Sequence, residues 1–107
     1  MQVFKDGSFG LKSTDLERIS KTFSNFAEIE KAVIFGSRAK GNQKPYSDID
    51  IALYGKSIDL TIQNKIENQL DDLLLPYKFD VCVFEKLDNQ DIINHIERVG
   101  IILYLRS

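Results

Sequence analysis

Apolar residues recur along the chain with two periods, one typical of helices and the other typical of strands. Helical spacing predicts helices over residues 14–28 and 59–74, and a final helix that begins after Asn89. Thr14 and Glu17 fit a capping box at the start of the first helix. The apolar positions that predict the three helices are Leu16, Ile19, Phe23, Phe26, Ile62, Ile66, Leu70, Ile92, Ile93, Ile96 and Val99.

Short apolar runs rich in β-branched and aromatic residues predict strands between these helices. The runs cover residues 32–35, 48–54, 79–84 and 101–105. After the first run, Arg38 to Lys40 predict a helical turn that ends at Gly41, and a loop containing Pro45 follows. The order α-β-turn-β-α-β-α-β predicts an α/β (α+β) fold, in which helices flank a small mixed sheet within a single domain over residues 1–107.

Composition and charge narrow the classes of function. The 14 Lys and Arg residues are balanced by 16 Asp and Glu residues, giving a net charge of -2, which argues against a broad basic face for nucleic acid. One cysteine and one histidine cannot form an internal disulfide or a Cys/His zinc site. No apolar run has the length of a signal peptide or of a membrane span, so we expect a cytoplasmic protein.

Polar residues interrupt the apolar pattern at three places. Gly36 and Ser37 follow the first predicted strand, where backbone amides and a hydroxyl suit a phosphate, although an ordinary strand-end turn is the commoner explanation. Asp48 and Asp50 are two residues apart in a predicted strand, so they share a face with Cα atoms about 6.6 Å apart. Asp80 interrupts the third strand, where a lone carboxylate must be paired, hydrated or bound to a metal.

These carboxylates predict a metal site only if the third strand lies beside the second. Three carboxylates would then converge and could hold two Mg²⁺ ions roughly 3.5–4 Å apart, an arrangement used in phosphoryl transfer. Solvated carboxylates at strand ends are the alternative for Asp48 and Asp50, and a paired strand-end carboxylate is the alternative for Asp80.

The spacing of these features resembles that of the DNA polymerase beta-like nucleotidyltransferase superfamily. Residues 35–41 and 47–52 match its minimal nucleotidyltransferase (MNT) members. The resemblance implies Mg²⁺-dependent transfer of AMP, or another nucleoside monophosphate, from a triphosphate such as ATP to a hydroxyl. It implies that three aspartates are catalytic metal ligands, namely Asp48, Asp50 and Asp80, and that Asp80 also acts as base or orients the acceptor. It implies that four residues bind the nucleotide, namely Gly36, Ser37, Arg38 and Ser47.

Small stand-alone MNT proteins typically accompany a small helical HEPN-type protein, often a toxin ribonuclease. The resemblance therefore implies an antitoxin that attaches AMP to a tyrosine of this partner and works within an oligomer. A subunit that blocks its partner by contact alone, an enzyme that modifies a small molecule such as an aminoglycoside, and a sugar-nucleotide glycosyltransferase are the alternatives. Arg38 is as compatible with a solvated cation as with a phosphate contact, and His95 and Cys82 are interpreted as ordinary helix and core residues.

Overall fold

The fold is described from a computed structural model for residues 6–106. Within that range a four-stranded mixed sheet is flanked by helices, which confirms the predicted fold class. The strands are β1 (Lys31–Phe35), β2 (Ile49–Tyr54), β3 (Phe79–Val83) and β4 (Ile101–Leu105). The helices are α1 (Ser13–Ser24), α2 (Gly36–Lys40), α3 (Leu60–Asp71) and α4 (Gln90–Val99), with 3-10 turns at Ser8–Gly10 and Phe84–Lys86.

The sheet has the strand order β3-β2-β1-β4. The strand β1 is antiparallel to both β2 and β4, whereas β2 and β3 are parallel. Parallel neighbours require a crossover connection, and α3 provides it between β2 and β3. The third predicted strand therefore lies beside the second, as the metal-site hypothesis requires.

The two faces of the sheet have different environments. One face carries the main core, to which α1 and α3 contribute Leu16, Ile19, Phe23, Ile66 and Leu70. On the other face α4 covers a smaller cluster of Val33, Ala52 and Ile96. Because side chains alternate along a strand, Asp50 lies on the same face as Ala52, and Asp80 lies on the same face as Cys82. The acidic residues therefore share the α4 face and not the main core.

Two predictions concerned the residues that cap the N-termini of helices, and the structure contradicts one and confirms the other. The capping box is wrong, because α1 begins at Ser13 and no side chain caps it from the N-cap position. Instead, the Asp6 carboxylate accepts a hydrogen bond of 2.8 Å from the backbone N–H of Ser13. The Asn89 cap is confirmed, since its side chain accepts hydrogen bonds from the first turn of α4. No helix in residues 6–106 is long and apolar enough to cross a bilayer.

Candidate functional site

Three aspartates lie at the edge of the sheet where β1 ends and β2 and β3 begin. Asp50 and Asp80 are Cα partners in the parallel β2–β3 pair, so their side chains project side by side from the same face. Asp48 directly precedes β2. Asp48 and Asp80 are exposed, whereas Asp50 is half-buried between its neighbours. The register of β2 and β3 therefore brings together carboxylates that are thirty residues apart in sequence.

The pKa of Asp50 is raised by its burial and by the carboxylates around it. Burial raises the pKa of the Asp50 carboxyl above its usual value, and the carboxylates of Asp80 and Asp48 raise it further. His95 and Arg38 act in the opposite direction. The ionised site thus carries unfavourable desolvation and repulsion, which a bound cation would relieve.

Gly36 allows the chain to turn sharply from β1 into α2 against the Asp50 carboxylate. Its φ of +72° lies in the left-handed region that favours glycine. A Cβ at this position would overlap Oδ2 of Asp50 and would lie 3.1 Å from its Cγ. Ser37 follows in the first turn of α2 and is half-buried. The structure therefore places the Gly36–Ser37 turn directly beside the central carboxylate.

Arg38 occupies an interior position under the loop that leads to Asp48. Its side chain is only 2% exposed, so the solvated-cation interpretation is wrong. Nε and Nη2 donate hydrogen bonds of 3.1 and 2.8 Å to the carbonyl oxygen of Ser47, and Nη1 donates one of 2.9 Å to the carbonyl oxygen of Phe9. The guanidinium carbon lies 4.7 Å from the ring centroid of Tyr77. Arg38 therefore fixes the backbone that carries Asp48, and its contact with a phosphate stays a prediction.

Ser47 contributes to the same loop through its side chain as well as its carbonyl. Its hydroxyl oxygen accepts a hydrogen bond of 2.8 Å from the backbone N–H of Lys44, which closes a tight turn. Tyr46 stands at the tip of this turn with 84% of its surface exposed. The loop thus holds an exposed aromatic ring two residues from Asp48, while the predicted contact of Ser47 with a nucleotide stays a prediction.

The carboxylate set has the chemistry of a Mg²⁺ site, because hard carboxylate oxygens bind this ion together with water and substrate phosphates. Within residues 6–106, no three histidine, cysteine, aspartate or glutamate side chains already surround one metal position. Asp48 and Asp80 are exposed on either side of the half-buried Asp50, and the negative charges of both act on it. These three residues are the ones that would hold the metal.

The structure adds to the site a residue that the sequence predicts to be an ordinary helix histidine. His95, on α4, contacts the ring of Phe35 edge-on, with the ring centroids 6.0 Å apart. Phe35 is the Cα partner of Asp50, which explains why the charge of His95 influences the pKa of Asp50. Cys82 is half-buried in the same face, and burial with the nearby Asp80 and Asp50 raises the pKa of its thiol to about 11. The apolar stripe of α4 predicts a buried side for the helix but not which strand that side covers.

Comparison with known proteins identifies the family of this arrangement. The family model described as polymerase beta, nucleotidyltransferase, matches residues 17–107. No curated protein sequence matches the chain significantly.

Solved structures of toxin–antitoxin complexes share the fold. A toxin–antitoxin structure with AMP-PNP has a TM-score of 0.70 and 21% identity, covering 86% of this chain and 74% of that one. A Shewanella oneidensis complex of a tri-AMPylated HEPN toxin with its MNT antitoxin has a TM-score of 0.64 and 20% identity, covering 87% and 71%. The MntA–HepT toxin–antitoxin has a TM-score of 0.65 and 18% identity, covering 89% and 74%. With Asp50 and Asp80 in register and the family model spanning most of the sequence, the chain belongs to the polymerase beta nucleotidyltransferase family.

Proposed function

We propose that this protein is a Mg²⁺-dependent adenylyltransferase that transfers AMP from ATP to a hydroxyl group of a HEPN-type partner protein. The observation that carries the proposal is the register of Asp50 with Asp80, in which Asp50 adjoins the Gly36–Ser37 turn and Asp80 lies beside Asp50. A third carboxylate, Asp48, precedes the same strand. This arrangement provides acidic metal ligands next to a turn that can accommodate phosphate groups.

The reaction requires charge neutralisation and alignment of the reactants more than a covalent intermediate. The acceptor hydroxyl oxygen forms a bond to the α-phosphorus, the bond from that phosphorus to the bridging oxygen breaks, and pyrophosphate leaves. Bound Mg²⁺ would neutralise phosphate charge, with Asp48, Asp50 and Asp80 as its ligands. Asp80 is exposed, and we assign it to the acceptor side, where it orients the hydroxyl or takes its proton. Gly36 and Ser37 hold the triphosphate.

A protein acceptor fits the open form of the site. The described residues build one sheet with its helices, and they provide no second layer above Asp48 and Asp80, which are both exposed. Tyr46, two residues before Asp48, offers an exposed aromatic ring, a type of residue that is common at the centre of protein interfaces. The similar MNT antitoxin in complex with a tri-AMPylated HEPN toxin supports a partner of this kind. We propose that the acceptor is the hydroxyl group of a tyrosine on the partner.

Transfer of radioactive label tests the activity. The purified protein, Mg²⁺ and the HEPN-type partner are incubated with ATP labelled on either the α- or the γ-phosphate. We expect label from the α-phosphate alone to become protein-bound, and we expect chelation of Mg²⁺ to prevent it. The variant Asp50→Asn should be inactive, while Asp71→Asn, an exposed residue at the end of α3, serves as the matched control. Transfer of γ-label, or equal transfer by Asp50→Asn, would contradict the proposal.

Protection of cells separates catalysis from inhibition by contact. An enzyme lacking both Asp48 and Asp50 carboxylates should fail to protect cells from the toxic partner, although the two proteins still form a complex. We therefore expect Asp48→Asn/Asp50→Asn to co-purify with the partner without restoring growth. Full protection by this double variant would favour the alternative of a subunit that acts by contact.

A further inference from the structure

His95 lies over the end of β1, on the wall of the site that α4 provides. The helix contacts both β1 and α2, and the imidazole meets Phe35 edge-on at 6.0 Å between ring centroids. Phe35 immediately precedes Gly36 and pairs with Asp50 across the strands. The imidazole is therefore placed beside the turn that we assign to the triphosphate.

The strand order distinguishes two sides of the site. Because the order is β3-β2-β1, Asp80 lies on one side of Asp50 and Phe35 lies on the other. In phosphoryl transfer, the attacking and leaving oxygens lie roughly in line on opposite sides of the phosphorus. If Asp80 faces the attacking hydroxyl, the leaving pyrophosphate lies toward Phe35 and His95.

The imidazole of His95 is available to a ligand. It is half-buried, and neither of its nitrogens forms a hydrogen bond within residues 6–106. At least one ring nitrogen carries a proton at any pH near neutrality, and phosphate oxygens are strong acceptors of such donors. The carboxylates around Asp50 cannot supply a donor when they are ionised, so His95 complements them.

We propose that His95 donates a hydrogen bond to the β- or γ-phosphate of the bound triphosphate and so contacts the pyrophosphate that leaves. This inference deepens the proposed function, since it rests on the same site and on the same direction of attack. It assigns α4 a part in recognising a triphosphate in preference to a monophosphate.

Two substitutions of His95 distinguish the effect of losing its hydrogen bond from the effect of losing its packing against Phe35. His95→Phe keeps an aromatic ring against Phe35 but removes both ring nitrogens, whereas His95→Gln restores a donor without the ring. Arg98→Gln is the matched control, because it removes an exposed positive charge from the last turn of the same helix. Thermal denaturation of each variant verifies that the fold is retained.

Calorimetric binding of Mg²⁺-pyrophosphate, Mg²⁺-ATP and AMP tests the inference. We expect His95→Phe to weaken pyrophosphate and ATP binding about tenfold or more, the effect of one lost hydrogen bond to a charged group, and to change AMP binding less than about twofold. His95→Gln should regain part of the affinity, and Arg98→Gln should bind like the unaltered protein. Unchanged pyrophosphate binding by His95→Phe, or an equal loss for AMP, would overturn the inference.

These binding measurements need no acceptor protein. If the protein binds pyrophosphate through His95 but transfers no AMP to any partner, the proposed function fails while this inference stands. If AMP is transferred and pyrophosphate binding is insensitive to His95→Phe, the proposed function stands while this inference fails.

Discussion

Replacement of Arg38 by methionine tests whether an interior cation holds the loop that carries Asp48. Methionine retains most of the apolar stem and removes the guanidinium, so it leaves the carbonyl oxygens of Ser47 and Phe9 without their donors. The interaction with the ring of Tyr77 is lost as well. We expect a marked loss of stability from this one substitution, although the position lies outside the main core.

The expected decrease in the free energy of unfolding follows from the contacts that Arg38→Met removes. Three hydrogen bonds from a charged group would each contribute about 1.5–3 kcal/mol in isolation, and the cation–π contact about 1 kcal/mol. Removal of the arginine also relieves the cost of burying its charge, which offsets part of this sum. We therefore expect a net loss of about 2–4 kcal/mol, a large fraction of the roughly 5–15 kcal/mol that stabilises a typical domain.

Urea denaturation of Arg38→Met measures this loss, and Lys40→Met is its control because Lys40 is exposed on the same short helix. Arg38→Lys should fall between the two, since lysine keeps the charge but cannot donate to both carbonyl groups in the same geometry. Hydrogen exchange at the amides of Ser47 and Asp48 should accelerate in Arg38→Met. A free energy of unfolding within about 0.5 kcal/mol of the Lys40→Met control would refute the anchoring role.

Three further predictions concern the carboxylates and their neighbours. Asp50→Asn should be more stable than the unaltered protein at pH 7, because the raised pKa of Asp50 means that its ionised form is unfavourable in the fold. Denaturation across pH should show this advantage growing as pH rises above the usual value of 3.8, and a constant difference would contradict it. Gly36→Ala should lose about 1–3 kcal/mol and more than Gly41→Ala, since both have positive φ but only Gly36 abuts Asp50, and equal losses would disprove the overlap. Cys82, with a thiol pKa of about 11, should react slowly with iodoacetamide at pH 8 and faster in Asp80→Asn, so equal rates would exclude this electrostatic influence.

The periodicity of apolar residues predicted the order of the elements but overestimated the lengths of α1 and α3. The first helix ends at Ser24 although the predicted stripe continued to Phe26, whose side chain is buried in the core from the turn that follows. Apolar spacing reports which side chains are buried, and a turn can bury a side chain as well as a helix can. Gly100, which follows α4, has a negative φ, and a glycine is needed there because a Cβ would overlap atoms of Val33 and Ile96.

Local sequence patterns identified the parts of the candidate site that are close in the chain, and Asp80 joined them only through the family resemblance and the assumption that the third strand lies beside the second. Asp48 and Asp50 share a strand, and the spacing of Gly36 and Ser37 before them carries the family resemblance. The pairing of Asp50 with Asp80 depends on which strand lies beside β3 and in which register. The sequence does not contain this information, and the structure shows that β3 pairs with β2. The contact between His95 and Phe35 depends on how α4 crosses β1, and neither segment alone contains that information.

Intact mass spectrometry of the HEPN-type partner, purified after co-expression with this protein, tests transfer of AMP most directly. With the unaltered protein, we expect a partner heavier by one or more adenylyl groups, located on tyrosine by fragmentation. With Asp48→Asn/Asp50→Asn, we expect a partner of unmodified mass. An unmodified partner in both cultures, or an adenylylated partner in the presence of the double variant, would contradict the assignment of catalysis to these carboxylates.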